Sequence, residues 1–333
     1  MKIIKNLIFV GIIIIILLFY IIFFNKKKII IANVSHPDYI GVGGLGNQFI
    51  TFSCAYAYAK AIGAKQIFIM NNFTCGDQPK QFMDPSNRCY GLDKFGINYP
   101  VISDVDSIKN KYGKKIYIVN YLHQLHFKSL FDLHNIIMFN VRFDVKLIDF
   151  IKNYKKEIKE LFNYQESLSK TADYFLNQIK SSESISLHIR RGDYISLNAD
   201  LPLSYYIKAT YFLYSRIHAP KVFIFSDDVE YVKKYFSNIN NIKNILPLAK
   251  KEQVDAIYKM LYQDAFYVSQ EVKHSLEEFY LMSNCQHNII ANSTFSWWAA
   301  FLNKNPTKLV TFPSSYIVMD YPKEENWNKI DIS

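Results

Sequence analysis

The stretch SISLHIRRGDYI, Ser184 to Ile195, decides how the rest of the chain is interpreted. Its first half, Ser184 to Ile189, predicts a β-strand, and the turn after it carries Arg190 and Arg191. In open α/β sheets, ligands bind beyond the carboxyl ends of the strands. Two guanidinium groups there suit the oxygens of a phosphorylated ligand. A plain surface turn, in which Arg191 and Asp193 pair with each other, fits the same letters.

Predicted strands and helices alternate on both sides of this stretch. The strands are predicted at 39–42, 66–70, 115–119, 184–189, 221–225, 244–246, 265–269, 287–291 and 308–311. The helices are predicted at 50–62, 145–162, 166–179, 203–217, 229–236, 276–285 and 294–302. Such alternation predicts an α/β fold with parallel strands, and a second α/β half begins at Ser184.

The N-terminus predicts a membrane anchor. Residues 7–24 form an uncharged apolar run that is just long enough to span a bilayer, with lysines on both sides. A small-residue cleavage site is not evident, so we expect an uncleaved, single-pass type II signal-anchor. Residues 29–333 would then lie outside the cytosol, in a Golgi-type lumen if the host cell is eukaryotic. The sequons at Asn33 and Asn72 are compatible with that location.

Composition narrows the class of protein. The 333 residues are 50% hydrophobic and carry a net charge of +10, which predicts a folded protein with an anionic partner. Nucleic acid is not the expected partner, because the lysines are dispersed and no RNA- or DNA-binding motif is present. The cysteines include no CxxC, which argues against a zinc site. Cys75 and Cys89 bracket a polar loop and could form a disulfide or remain free thiols.

A glycine-rich segment, GVGGLGNQF at 41–49, precedes the first predicted helix. A strand, a glycine loop and a helix N-terminus together favour an anion or a close backbone approach. The spacing also satisfies GxGxxG, the fingerprint of a dinucleotide-binding site. That fingerprint expects an acidic residue after the next strand, where Asn71 and Asn72 stand instead. Asn47 could contact a polyhydroxylated or phosphorylated ligand, or cap the helix.

Polar groups follow three strands of the second half. The first set is His188, Arg190 and Arg191, the second is Ser226, Asp227 and Asp228, and the third is Asn292, Ser293, Thr294 and Ser296. A carboxylate complements the N–H donors of guanine, and arginines beside a hydroxylated helix N-terminus suit a pyrophosphate. Adjacent carboxylates on a strand diverge, so a shared metal ion is the weaker alternative. A helix N-cap is expected for one of the two aspartates.

Three motifs resemble those of the glycosyltransferase family 11 α-1,2-fucosyltransferases. They are GGLGNQF (43–49), HIRRGDY (188–194) and HNIIANSTFSWWAAFLN (287–303), in the family's order. The resemblance covers about residues 38–320, and the HxRRxD element is also shared with α-1,6- and protein O-fucosyltransferases. It implies a GT-B-like fold of two Rossmann-like halves, with an acceptor-side half at 29–180 and a GDP-fucose-binding half at 181–333, after an anchor at 1–28.

The resemblance also implies a reaction. Fucose would pass from GDP-β-L-fucose to a galactose-containing glycan, with inversion, without metal or cofactor, and with an α-1,2 linkage expected. Another linkage, a protein acceptor, or a non-catalytic glycan- or nucleotide-binding role stays open.

Residue roles follow from matched positions. Arg190 would stabilise the charge that develops on the departing diphosphate, and Arg191 would mainly support the turn. The positions expected to bind the donor are His188, Arg191, Asp227, Asp228, Ser293, Thr294, Ser296, Gly44, Gly46 and Asn47. No general base is evident from the sequence; the candidates are Asp193, His123 and Asp77.

Overall fold

The computed structural model describes residues 28–35, 44–64, 66–71, 90–113, 115–125, 135–141, 146–314 and 326–332. The predicted anchor at 7–24, the predicted strand at 39–42, Asp77, and the pair Cys75 and Cys89 lie outside these ranges. Within them, no helix is long and apolar enough to cross a membrane.

The first half is built on a five-stranded parallel sheet in the order β3-β2-β1-β5-β4. Its strands are β1 (Ile29–Asn33), β2 (Gln66–Met70), β3 (Val101–Ile102), β4 (Ile116–Val119) and β5 (Ile136–Phe139). The central strand β1 reads IIIAN and is buried throughout, as expected of a parallel strand covered on both faces.

The second half is built on a six-stranded parallel sheet in the order β11-β10-β9-β6-β7-β8. Its strands are β6 (Ser184–Ile189), β7 (Lys221–Ser226), β8 (Phe266–Tyr267), β9 (His287–Ile289), β10 (Val310–Pro313) and β11 (Asn328–Ile330). The sheet pairs β6 with β7 along their whole length, from Ser184 opposite Lys221 to Ile189 opposite Ser226.

Helices cover both sheets. We number them α1 (Leu45–Ala61), α2 (Asp106–Tyr112), α3 (Leu147–Ile151), α4 (Lys155–Leu161), α5 (Lys170–Lys180), α6 (Gly192–Ser196), α7 (Leu203–Tyr214), α8 (Val229–Phe236), α9 (Ile239–Ile245), α10 (Lys251–Tyr258), α11 (Val268–Glu271), α12 (Ser275–Asn284) and α13 (Thr294–Leu302). Short 3₁₀ turns occur at Asp93–Phe95, Leu122–Leu125 and Lys152–Tyr154, and a π-helical turn occurs at Lys259–Gln263.

One hydrophobic core extends across both halves. Helix α13 belongs to the second half by sequence, yet it packs against α1 of the first half. The Trp298 ring lies 5.6 Å from those of Phe49 and Phe162, and the Phe49 ring lies 5.2 Å from that of Phe279. These aromatic side chains are buried and fix the two halves against each other.

Several predicted elements need correction. The first described strand is β1 (Ile29–Asn33), which was not predicted, and α1 begins at Leu45 rather than at residue 50. The predicted strand at 244–246 is wrong. Residues 244 and 245 are the last two of α9, and Leu246 is its C-cap. Isoleucines recur every three residues in α9, and Ile242 is buried, which is helical spacing.

The sequon at Asn33 is not accessible in this fold. Asn33 ends β1, its side chain is 4% exposed, and its amide donates a hydrogen bond to Asn140 Oδ1 at 2.8 Å. It therefore lends no support to a lumenal location, and the sequon at Asn72 lies outside the described residues.

Candidate active site

The junction of β6 and β7 places Arg190 between two carboxylates. Because Ile189 pairs with Ser226, the residues that follow these strands are neighbours. Arg190 Nη1 lies 2.8 Å from Asp227 Oδ2, and Arg190 Nη2 lies 2.7 Å from Asp193 Oδ1. The Arg190 side chain is 17% exposed, so it is partly desolvated but still open at the sheet edge.

Arg191 is held from several directions. Its Nε lies 3.0 Å from Asp228 Oδ2, and its Nη1 lies 3.0 Å from Asp200 Oδ2. Its guanidinium carbon lies 3.5 Å from the centre of the Tyr231 ring, a cation–π contact. Arg191 therefore supports the turn, as the sequence suggested. The expected pairing of Arg191 with Asp193 is wrong, because Asp193 pairs with Arg190, three residues before it in the chain, whereas Arg191 pairs with Asp200 and Asp228.

The two adjacent aspartates have different roles. Asp228 is the N-cap of α8 and accepts a hydrogen bond from the backbone N–H of Tyr231 at 3.3 Å, so the capping expectation is confirmed for this residue. Asp227 Oδ1 accepts a hydrogen bond from the backbone N–H of Arg191 at 2.8 Å. The described residues contain no cluster of three or more His, Cys, Asp or Glu side chains that could hold a metal ion.

His188 is a buried, neutral imidazole on β6. It is 7% exposed, and burial together with the positive charge of Arg190 lowers its pKa to about 3. Its Nδ1 has no hydrogen-bond partner among the described residues. Its ring lies 5.7 Å from that of Phe295, in the first turn of α13. A buried ring nitrogen without a partner is costly and suits a ligand that supplies a hydrogen bond.

The hydroxyl groups of Ser293 and Ser296, in the third motif, already accept hydrogen bonds within the protein. Ser293 caps α13 by accepting a hydrogen bond from the backbone N–H of Phe295 at 3.3 Å. Ser296 is buried, and its Oγ accepts a hydrogen bond from the backbone N–H of Ala291 at 3.2 Å. Thr294 is only half-buried, so its position is the most open of the three.

The N-termini of α1 and α13 meet. Thr294 Oγ1 donates a hydrogen bond to Asn47 Oδ1 at 3.2 Å, which joins the two halves at the predicted ligand edge. A Cβ on Gly46 would lie 2.5 Å from the backbone carbon of Thr294, so this contact requires glycine. Gly44, the N-cap of α1, offers no side-chain hydrogen bond to the first N–H groups of the helix, of which that of Asn47 bonds to the Gly44 carbonyl.

Two further side chains lie at this edge: Glu278, which was not predicted, and Asn292, which was predicted at the strand end but given no role. Glu278, on α12, lies near Asp227, and burial raises its pKa to about 7 despite a hydrogen bond from Ser269. Asn292 is 3% exposed, donates a hydrogen bond to the Ala199 carbonyl at 2.6 Å, and has an Oδ1 without a partner among the described residues. The sequence signal for Glu278 was the pair of consecutive glutamates, Glu277 and Glu278, in the first turn of α12.

Of the three candidate general bases, the structure describes Asp193 and His123, which lie in different halves. Asp193 pairs with Arg190, as described above. His123 lies on an exposed 3₁₀ turn of the first half, where its ring stacks on Tyr121 with centres 5.7 Å apart. Asp77 lies outside the described residues. The identity of the base therefore remains a prediction.

Fold and site together define a nucleotide-dependent transferase of the two-sheet α/β type. The model of glycosyl transferase family 11 matches residues 98–331, which is most of the chain. The protein therefore belongs to glycosyl transferase family 11, the α-1,2-fucosyltransferase family, and is a glycosyltransferase. The resemblance read from the three motifs is confirmed.

Curated relatives agree with this family. The chain is 26% identical over 321 residues to the O-antigen biosynthesis glycosyltransferase WbnK of Escherichia coli, covering 82% of this chain and 92% of the relative. It is 30% identical over 189 residues to an alpha-1,2-colitosyltransferase of Escherichia coli, covering 54% of this chain and 58% of the relative. It is 24% identical over 164 residues to galactoside 2-alpha-L-fucosyltransferase SEC1 of Bos taurus, covering 46% and 39%.

Solved structures show only a distant likeness in outline. Fucosyltransferase NodZ from Bradyrhizobium superposes with a TM-score of 0.44 at 14% identity, covering 82% of this chain and 92% of that one. POFUT1 in complex with GDP gives a TM-score of 0.47 at 13% identity, covering 86% and 98%.

Proposed function

We propose that this glycosyltransferase transfers L-fucose from GDP-β-L-fucose to a galactoside hydroxyl in α-1,2 linkage, with inversion and without metal. The observation that carries the proposal is the position of Arg190. It lies at the carboxyl edge of the second sheet, where the N-termini of α1 and α13 also meet through Asn47 and Thr294. Cationic side chains and helix N-termini together favour a diphosphate.

Arg190 supplies charge stabilisation during departure of GDP. In the structure its two Nη atoms bind Asp193 and Asp227, so the guanidinium is oriented before any ligand arrives. Asp193 is the more exposed of the two carboxylates, and a phosphate oxygen takes its place most readily. A prealigned cation that meets charge developing on a leaving group lowers the barrier by a few kcal/mol.

Guanine recognition is assigned to Glu278 and His188 rather than to the aspartates. Arginines already hold Asp227 and Asp228, whereas Glu278 is bonded to the Ser269 hydroxyl. A carboxylate accepts the two adjacent N–H groups of guanine, and the donated hydrogen bonds would favour the ionised form of Glu278. The unpartnered Nδ1 of His188 provides a second contact at the next strand end.

The relatives support a 6-deoxy sugar donor and a galactoside acceptor. One relative is named a galactoside 2-alpha-L-fucosyltransferase and another an alpha-1,2-colitosyltransferase. The donor panel for this protein therefore includes GDP-fucose and nucleotide-linked colitose, and the acceptor panel consists of β-galactosides. Analysis of the linkage in the product distinguishes α-1,2 transfer from other linkages.

The first test compares two arginine variants. Arg190→Ala is expected to lower the rate of fucose transfer at least about 100-fold, because the charge on departing GDP loses its partner. Arg216→Ala is the matched control, since Arg216 is exposed and donates to the Phe212 carbonyl away from the site. Equal rates for wild type and Arg190→Ala would refute the assigned role, and loss of transfer in EDTA would refute the metal-independent mechanism.

Membrane attachment is proposed on the sequence alone. The uncharged run at 7–24, flanked by lysines, would anchor the enzyme as a type II protein. Fractionation of cells that express the full chain, against a chain that lacks residues 1–28, tests this. Recovery of both forms in the soluble fraction would contradict it.

A further inference from the structure

Asparagines follow the strands at the carboxyl edge of the first sheet. Asn33 ends β1, and Asn71, Asn120 and Asn140 directly follow β2, β4 and β5. The strand order places Asn33, Asn140 and Asn120 side by side, because β1, β5 and β4 are neighbours. We call these three residues the amide row.

The amide row is joined from side chain to side chain. Asn33 Nδ2 donates a hydrogen bond to Asn140 Oδ1 at 2.8 Å, and Asn140 Nδ2 donates one to Asn120 Oδ1 at 3.3 Å. Asn33 is buried, Asn140 is half-buried and Asn120 is exposed. The bonds fix the amide planes and assign the oxygen and nitrogen positions, so the row holds its amide groups in defined orientations up to its exposed end at Asn120.

An exposed aromatic pair follows the amide row in the chain. Tyr121 is 49% exposed, and its ring stacks on that of His123 with centres 5.7 Å apart and planes 18° apart. An exposed aromatic side chain beside oriented amide groups is a combination that suits sugar binding. The ring packs on the apolar C–H face of a pyranose, and the amides bind its hydroxyls.

The amide row is connected through α1 to the carboxyl edge of the second sheet, which we call the donor edge because Arg190 and Asp227 lie there. Thr51 Oγ1 donates to the backbone carbonyl of Val141, the residue after Asn140, and also contacts the Asn47 carbonyl. Asn47 in turn binds Thr294 across the junction of the halves. The residue after Asn140 therefore contacts α1 one helical turn beyond Asn47, which links the amide row to the site assigned to the diphosphate.

The two edges differ in charge. The donor edge carries Arg190, Arg191, Asp227 and Asp228, whereas the amide row and Tyr121 carry no formal charge. A cationic edge selects phosphates, while neutral amides select a neutral polyhydroxylated ligand without electrostatic preference. This difference points to the class of molecule that each edge binds.

We propose that Asn33, Asn140 and Asn120, with Tyr121 and His123, form the acceptor subsite for a neutral β-galactoside. The proposal rests on the proposed function, because it assumes that the opposite edge binds the fucose donor. Asn120 would bind sugar hydroxyls and Tyr121 would pack against the pyranose ring. Asn140 and Asn33 act as positioning residues that orient Asn120.

The test uses the full chain with GDP and lactose as the probe. In wild type, saturation-transfer NMR is expected to show lactose bound beside GDP. Asn120→Ala and Tyr121→Ala are each expected to raise the KM for lactose about tenfold, the loss of one well-placed contact. Their affinity for GDP, measured by calorimetry, is expected to stay within about twofold of wild type, which also shows that they fold. Tyr174→Ala is the control, because Tyr174 is an exposed tyrosine on α5.

Three results would overturn this assignment. They are a KM for lactose unchanged in both variants, no lactose signal in GDP-loaded wild type, or GDP affinity falling in parallel with lactose affinity. Failure of the proposed function is distinct, since wild type would then neither bind GDP nor turn over GDP-fucose.

Discussion

Buried ionisable groups at the donor edge are tuned toward their neutral forms. Burial lowers the pKa of His188 to about 3 and raises that of Glu278 to about 7. Near neutral pH His188 is therefore neutral and Glu278 is only partly protonated.

The pKa of His188 predicts a pH-dependent loss of stability. Its folded-state pKa lies below the ordinary value near 6.5, so between these values only the unfolded chain binds the proton. Stability then falls as pH falls below about 6.5, by roughly 1 kcal/mol per pH unit. Between pH 7 and pH 5 we expect wild type to lose about 2 kcal/mol more than His188→Gln.

Urea unfolding at pH 7, 6 and 5 measures this difference. Other groups, including Glu278 and His287, titrate in both proteins, so their contributions cancel in the comparison. The free energies of unfolding of wild type and His188→Gln are expected to change in parallel from pH 7 to pH 8. Parallel curves at pH 5 as well would contradict a buried neutral His188.

At the scale of single residues, the sequence predicted the charged cluster at the ends of β6 and β7 but not its pairings. The motif HIRRGDY predicted that His188, Arg190 and Arg191 lie at a strand end, because a strand and the turn after it are determined by residues close together in the sequence. Asp193 reaches Arg190 from three residues away, whereas the pairs with Asp227 and Asp228 depend on the register between β6 and β7, and this is set 36 residues away in the chain. Glu278 could not be assigned without knowing that the fold brings it close to Ser269 and Asp227.

Among the elements, the contact between the N-termini of α1 and α13 is the tightest constraint at the site. Gly46 allows the backbone of α1 to touch Thr294, and Asn47 then bonds to its hydroxyl. The N-termini of two helices from opposite halves thereby meet at one place. This geometry concentrates positive potential where the diphosphate is proposed to lie.

Two glycines of α1 provide a matched comparison. Alanine at Gly46 brings a Cβ within 2.5 Å of the Thr294 backbone, whereas alanine at Gly44 meets nothing within 4 Å. Gly46→Ala is expected to destabilise the protein by about 1–3 kcal/mol, although alanine is the better helix former. Gly44→Ala is expected to be neutral. Thermal unfolding of both variants checks this, and an unchanged midpoint for Gly46→Ala would disprove the close contact.

Local sequence patterns predicted many elements well and failed where context decides. The bounds of β2, β6, α8 and α13 agree with the predicted ranges, because each is a clear apolar run or periodic segment with turn residues at its ends. Strand β1 was missed because its isoleucines follow the long apolar segment and lysine run at the N-terminus. The two-residue strand β3 and the three-residue β11 offer too short a pattern.

At the scale of the whole molecule, the shared aromatic core couples the halves. Phe49, Phe162 and Trp298 join α1, the segment after α4, and α13 in one cluster. A second link is Glu277, which accepts hydrogen bonds from the backbone N–H and hydroxyl of Ser169 at 2.6 and 2.9 Å. Neither half can unfold without exposing apolar surface of the other.

This coupling predicts one cooperative unfolding transition. Differential scanning calorimetry of wild type is expected to give a single peak, with calorimetric and van't Hoff enthalpies in agreement. Phe49→Ala, which removes a buried ring at the centre of the shared core, is expected to lower stability by about 3–5 kcal/mol and shift the whole peak. Two resolved peaks in wild type would show that the halves unfold independently.

The two-half architecture was predictable from alternating strands and helices together with the three motifs. The strand orders and the packing of α13 on α1 were not predictable. The apolar residues of STFSWWAAFL show that the helix is buried, but they do not show which element it packs against. Only the assembled sheets reveal which edge of each half faces the other.

The placement of α13 has a consequence for recombination between family members. A crossover between the two sheets would carry Trp298 into a hybrid while leaving behind the Phe49 and Phe162 against which it is fitted. The unit that must be inherited together is therefore larger than the second half of the sequence, because it includes the face of α1 and the Phe162 ring that α13 covers. Shuffled enzymes that move α1, Phe162 and α13 together keep this fit, and those that separate them must repack their common interior.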